Sequence, residues 1–314
     1  MFRRVMAQIW PEALPIGLAV SGGADSLAML LLAHAVIPGQ FEVATVDHRL
    51  REASAGECAF VRRLCDERGI ACAILPIAVP DDGNVMAGAR AARYAALAEW
   101  AKARGLAAIA TAHHLDDQAE TLLMRLSHAS GVAGLAGIRR RGVVPGSNLP
   151  LLRPLLDMRR SDCEAVVADA GIAAVQDPSN HDPAYTRVRV RQALRDMDFL
   201  DPSGLATSAA CLADAEEALV WASDAEWAKV VRAPGELRYR PDAPRAILMR
   251  VIDRAVGEWG GNARGQGVAR VIDRLARGEN ANIGGVMIRV RRGEWVFTPE
   301  PPRNPHAAPG RSIS

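Results

Sequence analysis

The chain has 314 residues, enough for two domains with sizeable cores. A formal net charge of +2 announces no global positive field for nucleic acid, and the ordinary balance of charged and apolar residues excludes a disordered or membrane-embedded class. Cys58, Cys65, Cys72, Cys163 and Cys211 include no Cys-x-x-Cys pair, which argues against a disulfide scaffold, a zinc site and an iron–sulfur cluster.

The start, Met1-Phe2-Arg3-Arg4, has the flavour of a signal peptide, but Pro11, Glu12 and Pro15 interrupt the apolar stretch. No segment reaches the length of a membrane span, so no membrane contact and a cytoplasmic location are expected. A strand is predicted over Ile16 to Val20 and a helix over Leu27 to Val36, joined by Ser21-Gly22-Gly23-Ala24-Asp25-Ser26. Glycines let backbone approach a ligand closely, and the first N–H groups of a helix suit a phosphate. A Walker A loop would end in Gly-Lys-Ser/Thr; here Asp25 stands where it can hold magnesium or cap the helix. Phe41 to Val46 is a second strand, Ser54 to Arg68 a helix and Ala71 to Ile77 a third strand. Ala87 to Ala103 is a long helix, with Arg90 and Arg93 on one face, closed by Gly105. Leu106 to Ala112 is a fourth strand, and a helix opens near Asp116. Short apolar strands alternating with helices imply an α/β fold, a Rossmann-like doubly wound parallel sheet whose ligands bind beyond the carboxyl ends of the strands. The Ser21 loop, Asp47-His48 and His113-His114 all fall at such ends, so one crevice is expected. Asp116, Asp117 and Glu120 occupy one turn, where they either complement the helix dipole or hold magnesium or an amine.

Further on come a Gly-rich stretch, Gly131 to Gly137, and the basic run Arg139-Arg140-Arg141. Leu149 to Leu155 is a last strand and Met158 to Ala170 a helix. Asp177-Pro178-Ser179-Asn180 is a turn signal. Arg187, Arg189 and Arg191 fit a strand with one basic face, or a helix with Arg187 and Arg191 four apart; either makes an anion site. Asp201-Pro202-Ser203-Gly204 reads as a boundary, giving domains over 1–202 and 203–298 and a Pro-rich tail over 299–314. The second domain is expected to be mostly helical (Ala206–Val231, Pro244–Glu258, Gly267–Ala276) and to end in a hairpin over Asn282 to Phe297.

Ser21–Ser26, Val46–Arg51, Ala89–Tyr94, Ala112–Thr121, Gly134–Gly137, Arg153–Leu156 and Asp177–Asn180, in that order, resemble the motifs of the tRNA(Ile)-lysidine synthetase family of PP-loop ATP pyrophosphatases. His128-Ala129-Ser130-Gly131 departs from that family's Arg-Gly-Ser-Gly, and Val188 replaces an asparagine. The chain resembles the short, two-domain members.

The resemblance implies ATP and Mg2+ as cofactors, and tRNA(Ile) with a CAU anticodon and L-lysine as partners; a homodimer is left open. It implies adenylation of C2 of the wobble cytidine, then displacement of AMP by lysine. Asp25, Asp116, Asp117 and Glu120 become the catalytic candidates. Ser21, Gly22, Gly23, Ala24, Asp25, Ser26, Asp47, His48, His113, Arg187 and Arg191 are candidates for ATP and pyrophosphate, with Asp25 and Asp117 for the metal. Arg90, Asp116, Asp117 and Glu120 are candidates for lysine, and Arg139, Arg140 and Arg141 for tRNA. Another tRNA-modifying PP-loop enzyme such as a thiolase, or an inactive tRNA-binding homologue, are the rivals.

Overall fold

A computed structural model describes residues 1–49, 53–78, 85–176, 182–263 and 265–300. The turn Asp177–Asn180, Leu50 and Arg51 of the Val46–Arg51 motif, and the tail beyond Glu300 lie outside the described residues. The chain divides into two compact units, Met1–Ala213 and Asp214–Ser314.

The first unit is built on a sheet of β1 (Ile16–Ala19), β2 (Phe41–Asp47), β3 (Cys72–Pro76), β4 (Ala108–Ala110), β5 (Arg141–Val143) and β6 (Pro150–Leu152). Their order is β3-β2-β1-β4-β6-β5, all parallel except β5 on the edge. Both faces are covered, which is why the strands are apolar without alternation. Ile16, Leu18 and Val20 point into one core with Leu27 and Leu30 of α2 (Ala24–Val36), while Ala19 joins Tyr94, Leu97 and Trp100 of α4 (Val85–Ala103) on the other. Gly17 lies under Trp100, and a Cβ there would stand 2.4 Å from the indole and 2.7 Å from Ile109. Gly17→Ala is therefore expected to lose about 1–3 kcal/mol by overpacking. The check is the urea midpoint at constant m; an unchanged midpoint would show that α4 shifts off β1 freely.

The strand order reverses direction between β1 and β4, so the crevice opens where the chain leaves these two neighbours. Short elements escaped the sequence reading. α1 (Phe2–Ile9) buries Phe2, Val5, Met6 and Ile9, an i, i+3, i+4, i+7 stripe, so the signal-like start is a core helix. The remaining helices of this unit are α3 (Ala53–Asp66), α5 (Leu115–Ser127), α6 (Val132–Leu135), α7 (Arg160–Asp169) and α8 (Thr186–Asp196). The alternating arginines thus lie on a helix, α8, and the strand alternative is discarded.

α9 (Pro202–Trp227) starts at Asp201-Pro202-Ser203-Gly204, where Asp201 accepts the N–H groups of Ser203 and Gly204. Beyond it lie β7 (Val231–Ala233), β8 (Glu236–Tyr239), α10 (Arg245–Gly257), α11 (Gln266–Ala276), β9 (Ala281–Ile283), β10 (Val286–Arg291) and β11 (Glu294–Pro299). The expected hairpin is β10–β11, and it is the middle of a five-stranded antiparallel sheet, β7-β8-β11-β10-β9. Sequence reading ran the preceding helix to Val231 and so missed β7–β8. Val251, Ile252, Phe297 and Tyr239 fill this unit's own core. Among the described residues, no helix is long and apolar enough to cross a membrane.

Candidate active site

The loop after β1 is a backbone cradle. Gly22 takes φ +85°, which favours glycine, and its carbonyl accepts the Val175 N–H at 2.9 Å. Gly23 occupies the N-cap of α2 and has no side chain to satisfy the first N–H groups, which remain available to an anion. Ser26 is a brace within the cradle: its Oγ accepts the Ser21 N–H at 3.1 Å and donates to the Gly23 carbonyl at 2.9 Å. A cavity of about 790 Å3 opens here, lined by Ser21, Gly23, Asp25, His48, Arg90 and Arg93 among others. Asp47, at the end of β2, braces the rim. It accepts from Ser54 Oγ at 2.7 Å and from the Arg49 N–H at 3.0 Å, and these bonds hold its carboxyl below the usual range.

The second segment starts α5. His114 stands at its N-cap, its N–H bonded to Asp117 Oδ2 at 3.0 Å, and its ring is buried at 2% exposure. Nε2 lies 3.5 Å from Asp25 Oδ2 and 3.6 Å from Asp117 Oδ2, and Nδ1 lies 3.5 Å from Asp116 Oδ2. Burial alone would push its pKa down, but hydrogen bonding to Asp116 and Asp25 and the charge of Asp117 outweigh burial and raise it to about 10. At neutral pH it is an imidazolium joining three carboxylates. Asp116 shows the converse: burial pushes it up, yet His114 and the Arg160 N–H at 2.8 Å draw it down to about 2. His113 is different. Burial lowers it to about 4 against the pull of Asp117, so it is neutral, with Nδ1 3.0 Å from Thr111 Oγ1. The sequence presented the two histidines as alternatives; the structure makes one a charged hub and the other a neutral ring.

Asp25 Oδ1 is buried with no hydrogen-bond partner. An orphaned carboxylate oxygen beside a phosphate cradle fits a hard cation such as magnesium, which takes one or two carboxylates and completes its shell with water and phosphate. Among the described residues, no group of three or more His, Cys, Asp or Glu is arranged to enclose a metal by itself.

Glu120 stands apart from this group. It is 1% exposed, and both oxygens are taken: Arg191 Nε reaches Oε1 at 2.6 Å, Arg187 Nε reaches Oε2 at 2.7 Å, and Arg191 Nη2 adds a contact at 3.3 Å. Arg187 also lies 3.3 Å from Asp117 Oδ1. The pair of arginines thus clamps α8 to α5. Gln118, which sequence reasoning passed over, ties the segment after Gly137 to α5 by exchanging two bonds with the Ile138 backbone, at 2.8 and 2.6 Å. Of the basic run, Arg140 pairs with Asp157, and Arg141 pairs with Glu12 at 3.1 Å and lies 5.1 Å from the Trp10 ring centroid. These pairs are exposed and weak, so they do not withhold the arginines from a phosphate.

Comparison with known proteins bears on this crevice. A family model described as a PP-loop domain matches residues 2–197. The tRNA(Ile)-lysidine synthase of Novosphingobium aromaticivorans is 46% identical over 299 residues, covering 93% of this chain and 92% of that protein. The chain belongs to the tRNA(Ile)-lysidine synthase family. The Zymomonas mobilis tRNA(Ile)-lysidine synthase is 41% identical over 92% of this chain and 89% of that protein. Among solved structures, the U34-tRNA thiolase NcsA from Methanococcus maripaludis with its 4Fe-4S cluster aligns with a TM-score of 0.54 and 15% identity, over 70% of this chain and 78% of that one. That likeness is one of fold alone. Within a lysidine synthase family member the cradle, His114 hub and α5–α8 clamp all sit in the matched PP-loop region. Arg93, Tyr94 and Arg153 also reach the crevice region; the Ala-Arg-x-x-Arg-Tyr and Arg-Pro-Leu-Leu motifs contained them, but nothing in their spacing foretold their meeting.

Proposed function

We infer that this chain uses ATP to join free lysine to C2 of the wobble cytidine in CAU-anticodon tRNA(Ile), forming lysidine and releasing AMP and pyrophosphate. The observation that carries the reading is the near full-length similarity to lysidine synthases, supported by a phosphate cradle and an acidic hub at adjoining strand ends.

In the first half-reaction the cytidine C2 oxygen attacks the α-phosphorus of ATP, and pyrophosphate leaves. The free N–H groups of α2 meet the charge that develops on it. Magnesium, when bound, neutralises phosphate charge, with Asp25 and Asp117 the carboxylates to hold it. In the second half-reaction the neutral side-chain amine of lysine forms a bond to C2, the C2–O bond to AMP breaks, and a crevice carboxylate takes the amine proton. Asp116, held near 2 and bonded to Arg160, is a poor base, so the task falls to Asp117. Glu120 acts through Arg187 and Arg191 as a positioning residue. The charged hub explains how three carboxylates coexist: His114 supplies the counter-charge that keeps them ionised and aligned. Arg139, Arg140 and Arg141 contact tRNA phosphates, and residues 203–298 add a second tRNA-binding surface to the catalytic region 1–202.

Labelled lysine is expected to enter a CAU-anticodon tRNA(Ile) transcript with one AMP formed per lysine. The methionine tRNA sharing that anticodon is expected to stay unlabelled. AMP formation without lysine incorporation would sink the reading.

A further inference from the structure

Three arginines meet in the first unit with no carboxylate in ion-pair reach of any of them among the described residues. Arg90 and Arg93 of α4 and Arg153, which follows β6, gather around Tyr94, itself only 2% exposed. Arg90 Nη2 lies 3.5 Å from the Tyr94 hydroxyl, and its guanidinium carbon lies 5.1 Å from the ring centroid. Arg153 spends one N–H on the Arg139 carbonyl at 2.6 Å, while its Nε is buried with no hydrogen-bond partner. Burial pushes both Arg93 and Arg153 down, Arg90 adds to the push, and only Tyr94 opposes it. Like charges gathered out of water are unfavourable until an anion joins them. Arg90 and Arg93 line the same cavity as Ser21 and Asp25. His113 stands between the two charge clusters: Asp117 acts on it in one sense, Arg153 and Arg90 in the other. The crevice is bipolar, acidic at the start of α5 and basic around Tyr94.

We infer that Arg90, Arg93 and Arg153 form an oxyanion subsite separate from the phosphate cradle, and that it takes the α-carboxylate of the amino-acid substrate. This rests on the lysine-ligating reading. Pyrophosphate already has the α2 N-terminus. A free amino acid carries both signs, and a bipolar crevice matches it: carboxylates face its ammonium groups, and planar guanidinium forks face its carboxylate.

The test compares lysine with lysinamide, which keeps both amines and lacks the negative charge. In the parent enzyme lysine is expected to exceed lysinamide in kcat/KM by about 10–150-fold, the equivalent of a charged hydrogen bond. In Arg93→Met and Arg153→Met that advantage is expected to collapse toward parity. Each ratio is measured within one protein, so a change in folded fraction cancels. An advantage retained in both variants overturns the proposal, and if it is retained while KM for tRNA rises, the subsite belongs to a backbone phosphate. A parent enzyme that fails with lysine itself overturns the ligation reading, and the ligand assignment with it.

Discussion

Asp25→Ala is expected to lower tRNA-dependent ATP–pyrophosphate exchange by about 10²–10³-fold or more, the scale on which a preorganised charge-stabilising group acts. Asp25 enters the crevice with one oxygen toward His114 and the other, Oδ1, buried without a partner. A carboxylate oxygen left unsatisfied in the ligand-free molecule is waiting for a cation or a donor from the substrate. The same geometry predicts little effect on folding. His114 keeps Asp116 and Asp117, and the deleted Oδ1 makes no hydrogen bond that holds the fold. The measurement is exchange together with a thermal unfolding curve. Exchange at the parent level would remove Asp25 from the mechanism; lost exchange with a collapsed unfolding midpoint would recast it as a structural residue.

The second large effect concerns Glu120. Glu120→Gln should abolish lysine incorporation while tRNA binding is kept, because α8 loses its charged anchor on α5. Glu120 is 1% exposed and Arg191 19%, so this pair is shielded from solvent, whereas Arg187 is 40% exposed and its share is screened. Removing one member of a buried pair typically costs about 3–5 kcal/mol, because it strands the other charge. Glu120→Met should therefore unfold at a clearly lower temperature, and adding Arg191→Met should recover part of the loss as an apolar contact replaces the pair. Full lysine incorporation by Glu120→Gln would refute the positioning role. A double variant no more stable than the single one would show that Arg191 is not the stranded partner.

The two variants separate groups that the sequence presents as equals. Asp25, Asp116, Asp117 and Glu120 all read as acidic residues near one crevice. Their environments then divide them. Asp116 is satisfied by His114 and a backbone N–H, Glu120 by two guanidinium groups, and Asp25 retains an unfilled oxygen.

By itself the amino-acid sequence determined the alternating strands and helices of the first unit, the glycine-bent phosphate cradle and the convergence of Ser21, Asp47 and His113 at strand ends. These are local matters: apolar runs, a left-handed glycine and helix-start chemistry are set by neighbours in the chain. The β7–β8 hairpin and α1 stayed hidden because short elements draw their stability from packing against distant partners rather than from propensity. Tertiary structure alone decided which histidine is charged, since only folding brings Asp25 to within 3.5 Å of His114 across a gap of 89 residues (114 minus 25). It also decided that Glu120 is spent on α8 and that Arg93 and Arg153 meet around Tyr94 without a counter-ion. Ionisation and pairing follow from burial and from distances between charges, and neither is written in the order of residues along the chain.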